Sequence, residues 1–214
     1  MIHDSYRYVV IEGNLGAGKT TLVNLLADNY AYRPLLEQFA DNPFLPFFYQ
    51  QPERYAFPVE LFFMTERQQQ LQEHFATPDL FLSPVTIADY AFVKTQLFAH
   101  QNLKKEEYRL FLRLFDILKA NFPKPDLLLY LHRPIDVLLT NIRRRGRDYE
   151  QQITPDYLLK VQQAYFDYFK SQPDIPIVLL ECGERDFADN RANFQHIVGL
   201  LQRQYKPGLH RMVL

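Results

Sequence analysis

Residues 9–26, VVIEGNLGAGKTTLVNLL, run from a short apolar segment through a glycine-rich loop into a second apolar segment. The pattern G-x-x-x-x-G-K-T occupies Gly13 to Thr20. Before it, Tyr8, Val9, Val10 and Ile11 have the β-branched and aromatic character of a buried strand. After it, Leu22, Val23, Leu25 and Leu26 return at helical spacing. Strand, loop and helix in that order are the context in which this motif cradles a polyphosphate. Gly13, Gly16 and Gly18 let the backbone turn tightly, and its N–H groups then point inward at the positive end of the next helix. The loop from Gly13 through Asn14, Leu15, Gly16, Ala17, Gly18, Lys19 and Thr20 to Thr21 is therefore expected to hold ATP. Lys19 should reach the β- and γ-phosphates, and the Thr20 hydroxyl should ligate Mg²⁺. The motif leaves open what receives the phosphate.

Composition narrows the field. With 47% apolar residues, the 214-residue chain can bury a sizeable core, at a length near the top of common single-domain sizes. A net charge of −1 supplies no global field for nucleic acid or anionic lipid. Cys182 is the only cysteine, which excludes an internal disulfide and suits a reducing cytosol. The opening MIHDSYRYVV lacks the layout of a signal peptide, and no apolar run is long enough to span a membrane. The chain is thus expected in the cytoplasm. It contains 14 Tyr and 18 Phe but no Trp; most of these rings should fill a core, and some can line a pocket for a flat ring.

Strands are expected at 6–12, 34–37, 80–88, 126–132 and 175–182. Helices are expected at 20–29, 53–75, 92–100, 105–121, 134–145, 155–171 and 190–204. Pro134 and Pro155 suit a first helical turn, and Gly146 suits a helix end. The alternation predicts one α/β domain with a doubly wound, five-stranded parallel sheet of the P-loop NTPase kind, flanked by helices. Ligands in such sheets sit beyond the carboxyl ends of strands, which directs attention to Gly13–Thr20, Glu37 and Asp89.

Three further stretches, taken with the loop, resemble the deoxynucleoside kinase family. They are LLEQFADNPFLPFFYQQPERYAFPVELFFMTER at 35–67, TIADYAFVKTQLFA at 86–99 and RRRGRDYEQQITPDYL at 143–158. Their order and spacing match over nearly the whole chain, and the bacterial deoxyguanosine and deoxyadenosine kinases are the most similar branch. The resemblance implies Mg-ATP-dependent phosphorylation of the 5′-hydroxyl of a purine deoxynucleoside. It also implies a homodimer, and helices 53–75 and 105–121 carry more apolar surface than one sheet face needs.

Glu37 closes the second predicted strand, where a carboxylate can take a proton from an attacking hydroxyl. The resemblance gives it that role at the 5′-hydroxyl; a strand-end acid paired with Lys or Arg is the plainer reading. Tyr49 and Glu150 match family positions that hold the sugar 3′-hydroxyl, although Tyr49 also suits packing within its Phe-Phe-Tyr cluster. Glu60 and Arg67 are seven residues apart, hence on one helix face. They form either a buried ion pair or, by resemblance, the reader of the base edge. Many relatives carry Gln at the position of Glu60. An ionised carboxylate only accepts hydrogen bonds, and guanine presents two adjacent donors, so Glu60 should tilt the pocket toward deoxyguanosine.

Asp89 ends an apolar run and is expected beside Mg²⁺, with helix capping as an alternative or additional role. Many relatives follow this acid with Arg, whereas here Tyr90 follows; Arg67 or a later arginine would have to compensate. Arg143, Arg144, Arg145 and Arg147 cluster around Gly146. They are either solvated cations at a helix end or, by resemblance, part of an arginine-rich lid at about 143–155 in which Arg145 and Arg147 contact phosphate. Phe187, in the loop after the last strand, either borders the adenine of ATP or is ordinary core. Two other readings compete: a nucleoside monophosphate kinase, disfavoured because Glu37 and Glu60 would repel a second dianion, and a nucleotide-dependent switch. The N-K-x-D motif of GTPases does not occur.

Overall fold

The computed structural model describes residues 2–38, 42–76, 85–119 and 122–214. Its elements are β1 (Tyr8–Gly13), α1 (Lys19–Tyr30), β2 (Arg33–Leu35), α2 (Leu45–Phe48), α3 (Pro52–Ala76), β3 (Thr86–Ala88), α4 (Lys94–Asn102) and α5 (Lys105–Lys119). There follow β4 (Leu127–His132), α6 (Ile135–Arg145), a 3₁₀ turn (Asp148–Gln152), α7 (Pro155–Lys170), β5 (Pro176–Glu181), α8 (Arg191–Leu201) and β6 (Gly208–Val213). The strands form one sheet of order β2-β3-β1-β4-β5-β6, and each neighbouring pair is parallel.

Parallel strands with helices on both faces are apolar along their whole length, because neither face meets water. Period-two alternation sorts their side chains. Val9 and Ile11 of β1, Leu127, Leu129 and Leu131 of β4, and Val178 and Leu180 of β5 face one way, against Leu22, Leu26, Leu138, Ile142, Ile197 and Leu201. On the opposite face, Tyr8 and Val10 meet Met64, Leu71, Phe111 and Phe115. Leu128, Tyr130, Ile177 and Leu179 meet Val161, Tyr165 and Phe169. Glu12 follows Tyr8 and Val10 on that second face and is fully buried.

The expected doubly wound sheet is present, with one correction: it has six strands, not five. β6 runs beside β5 with Leu209, Arg211 and Val213 all exposed. Its two faces carry no apolar-polar contrast, so periodicity had nothing to read. The 190–204 helix accordingly stops at Leu201. β2 is shorter than predicted and leaves Glu37 two residues beyond its end. Pro34 explains its edge position, since proline cannot donate to a ladder on both sides. Of the strand expected at 80–88, residues 80–84 lie outside the described ones. Thr154 caps α7 by accepting from the Tyr157 amide, Pro155 takes the first turn, and Gly146 ends α6 in the left-handed region at φ 72°. Among the described residues, no helix is long and apolar enough to cross a membrane.

Candidate active site

The loop leaving β1 wraps the start of α1. Gly18 stands at φ 95°, and a Cβ there would meet the Phe187 ring at 2.9 Å, so both conformation and space demand glycine. Lys19 Nζ donates to the carbonyls of Gly13 at 2.9 Å and Asn14 at 3.0 Å. Asn14 Nδ2 donates to Leu158 O, and Asn141 Nδ2 donates to Gly16 O, each at 2.8 Å. Arg133 makes a third tie: Nε donates to Ala17 O, Nη1 to Gly183 O and Nη2 to Arg185 O, with its guanidinium 5.2 Å from the centre of the Phe187 ring. Phe187 is therefore buried core and a wall of the cleft at once, lying beneath Gly18.

A second cluster gathers at Glu37. Arg67 donates through Nε at 2.8 Å and through Nη2 to Glu37 Oε1, and its Nη1 donates to Thr95 Oγ1 at 2.8 Å. Lys94 Nζ donates to the other oxygen, Oε2. These two cations hold the buried carboxyl well below the usual range, although burial itself pushes the other way. Asp89 bridges the two clusters. Its Oδ2 accepts from the Thr20 hydroxyl at 2.5 Å, and its Oδ1 accepts from the Glu37 amide at 2.7 Å. It caps no helix, since α4 begins only at Lys94.

α3 buries one face at helical spacing: Ala56, Val59, Glu60, Met64, Arg67 and Leu71. Glu60 and Arg67 share that face as expected, but they do not pair as the ion-pair reading required. Arg67 turns to Glu37 and Thr95. Glu60 Oε1 accepts from Asn102 Nδ2 at 2.6 Å, while Oε2 is buried without a hydrogen-bond partner among the described residues. Burial, only partly offset by the Asn102 hydrogen bond and Arg67, pushes the Glu60 carboxyl up to about 7. Desolvation, with Lys94 next, brings Lys19 down to about 8.

The arginine cluster ends α6, and two of its members pair with an acid. Arg145 donates through Nε at 3.0 Å and through Nη2 to Glu150 Oε2, and Arg147 Nη1 donates to Oε1 at 3.1 Å. Tyr49 stacks on Tyr149, with ring centres 6.1 Å apart.

Two clefts result. One, of about 760 Å³ including its mouth, is lined by Leu15, Glu37, Tyr49, Glu60, Arg67, Asp89, Lys94, Asn102, Glu150 and Tyr157, with Phe48, Phe63 and Phe98. The other follows the glycine loop past Gly16, Ala17, Gly18, Thr21, Arg133, Arg144 and Phe187. Lys19, Thr20, Arg145 and Arg147 line both. A phosphate-binding cleft joined to an aromatic one across shared cations is the architecture of a phosphotransferase with a small-molecule acceptor.

The comparisons name the class more closely. The family model described as "Deoxynucleoside kinase" matches residues 9–204, so the chain belongs to the deoxynucleoside kinase family and its substrate is a deoxynucleoside. It is 32% identical over 197 residues to a deoxyguanosine kinase of Bacillus subtilis, covering 89% of this chain and 93% of that one. It is 26% identical to a deoxyadenosine/deoxycytidine kinase of the same organism, covering 89% of each. Its fold is similar to a deoxyadenosine kinase structure from M. mycoides with bound dATP, at a TM-score of 0.77 and 19% identity over 92% of this chain and all of that one.

Sequence reasoning missed Lys94, Asn102, Tyr157 and Arg133. Lys94 and Asn102 sit at the two ends of α4, where a lysine and an asparagine in an unremarked helix carry no pattern. Arg133 was the more readable: it directly follows a buried strand at the ligand end of the sheet, where an arginine is a candidate by position.

Proposed function

We propose that the enzyme transfers the γ-phosphoryl group of Mg-ATP to the 5′-hydroxyl of a purine deoxynucleoside, with deoxyguanosine preferred. The observation that carries this reading is the junction of the two clefts at Lys19 and Thr20, with the Glu37 carboxylate beside it. The loop amides from Gly13 to Thr21, with Lys19, hold the donor phosphates. The acceptor sugar lies between Tyr49 and Glu150, and its base faces Glu60.

Transfer of this kind is mostly positioning and charge neutralisation. The acceptor oxygen is aimed at phosphorus along the line of the two clefts. Glu37 takes its proton as the new bond forms, a contribution of about 10²–10⁴-fold. Arg145 and Arg147 neutralise charge on the transferring group and keep water out. A magnesium ion fits the donor set, because it needs only one or two protein oxygens beside phosphate oxygens and water. Thr20 Oγ1 and Asp89 Oδ2 would hold it, directly or through water, and it would neutralise charge on the donor.

Glu60 supports the guanine reading. Its Oε2, which has no partner among the described residues, and its Asn102-bonded Oε1 can each accept from one of guanine's two adjacent donors. Glu37 and Thr95 orient Arg67 through three of its five N–H donors, which leaves two for the base edge. A homodimer is part of the same reading. Leu110 and Ile117 of α5, seven residues apart on one helix face, are 49% and 69% exposed, and sedimentation velocity measures the resulting mass.

A coupled assay with deoxyguanosine, deoxyadenosine and deoxycytidine tests the whole. The expected result is highest kcat/KM with deoxyguanosine and a 5′-monophosphate product. Turnover confined to deoxycytidine, or to nucleoside monophosphates, sinks it.

A further inference from the structure

Lys94 opens α4 at 7% exposure, with its ammonium on Glu37 Oε2 and 5.7 Å from the centre of the Phe98 ring. Burying an ammonium costs several kcal/mol unless an anion offsets it. The anion it touches is already served, because Arg67 binds the other oxygen through two nitrogens. One carboxylate therefore faces two buried cations. Lys94 also acts on three other buried groups: it helps to depress Lys19, and it pulls Glu12 and Glu60 down against their burial.

The two cations on Glu37 differ in freedom. Arg67 is fixed at three points, by two hydrogen bonds to Glu37 and one to Thr95. Lys94 makes one side-chain hydrogen bond among the described residues, so two of its three ammonium protons have no described acceptor. It also lines the same cleft as Lys19 and Thr20, the phosphate end of the site.

We propose that Lys94 is a catalytic residue whose ammonium passes from Glu37 to the transferring phosphoryl group as the acceptor hydroxyl takes its place on Oε2. This rests on the phosphoryl-transfer reading above. The exchange does two things. It presents Oε2 to the hydroxyl proton, and it removes one of the two cations that weaken Glu37 as a base. In the step, the bond from the acceptor oxygen to phosphorus forms. The bond from that phosphorus to the donor's bridging oxygen breaks, its electron pair leaves with the diphosphate, and the proton goes to Glu37. Lys94 then balances charge on the phosphoryl oxygens.

The test compares wild type, Lys94→Met and Lys94→Arg in steady state, with substrate affinities from calorimetry. Loss of one preorganised donor is expected to lower kcat about 10²–10³-fold in Lys94→Met. Affinities should stay within about threefold, and Lys94→Arg should recover at least about tenfold of the loss, as a retained cation predicts. A mere counter-ion would behave differently: its loss would raise the acid limb of the kcat–pH profile and leave the plateau unchanged. That profile, or a Lys94→Met plateau within threefold of wild type, overturns the proposal. If Lys94→Met does not fold, Lys94→Ala with added methylammonium decides the matter; saturable recovery of kcat supports the role and its absence overturns it. A wild type inactive on every deoxynucleoside indicts the underlying reading instead.

Discussion

The two clefts, proposed above to hold the donor and the acceptor, are built by different means. The donor grip is local: nine consecutive residues, Gly13 to Thr21, supply a loop, a lysine and a hydroxyl, and the geometry is mostly backbone. The acceptor cleft is assembled from afar. Its charged and polar groups come from the end of β2, from α3, from both ends of α4 and from the turn before α7. A contiguous motif can be read from spacing alone, whereas a pocket of side chains from distant segments can be read only once their elements are placed. The acceptor side also holds more buried charge, with Glu60, Arg67, Asp89, Lys94 and Glu150 all buried. Buried charges need specific partners, and the choice of partner is not written in composition.

Glu37→Gln gives the largest expected break between the halves. Turnover should fall by about 10²–10⁴-fold, while ATP affinity measured by calorimetry stays within about threefold. Comparable losses in both would mean that Glu37 merely braces the loop. Next comes Glu60→Gln. An amide cannot accept through both of its terminal atoms, so the deoxyguanosine-to-deoxyadenosine ratio of kcat/KM should fall about tenfold, the scale of one buried hydrogen bond. An unchanged ratio removes Glu60 from base selection.

The smallest effects are in pH, and they separate the clefts by their titrations. Lys19 is depressed to about 8, so it loses charge as pH rises through that value, and kcat/KM for ATP should fall on the alkaline side. Glu60 is raised to about 7, so it is protonated below and a pure acceptor above. The deoxyguanosine preference should therefore grow several-fold between pH 6 and 8, the range in which that carboxyl ionises, and Glu60→Gln should abolish the trend. A growing preference in the Gln variant would assign the titration to another group.

The fold was largely legible because the phosphate loop fixes strand and helix on either side of it, and because apolar runs of the right length mark buried parallel strands. β6 was not, since an edge strand exposed at every other residue has no apolar face to betray it. At the site, Glu37, Asp89 and Glu60 could be picked out as acids at strand ends or on an apolar helix. Their partners could not. One of the two readings of Arg67 puts it on Glu60, yet it lies on Glu37, because a guanidinium pairs with whichever carboxylate the fold brings within reach. Arg67 and Lys94 neutralise Glu37, so its charge does little to repel a charged acceptor; membership of the deoxynucleoside kinase family, rather than that charge, speaks against a monophosphate acceptor.

Asp89 spans the boundary, with one oxygen on the Thr20 hydroxyl and the other on the Glu37 backbone. A side chain of only two carbons beyond its Cα thus acts as a ruler between the glycine loop and the segment that carries Glu37. Each half is registered against the other by a rigid gauge block, so whatever tugs on the hydroxyl side is felt within two bonds on the carboxylate side.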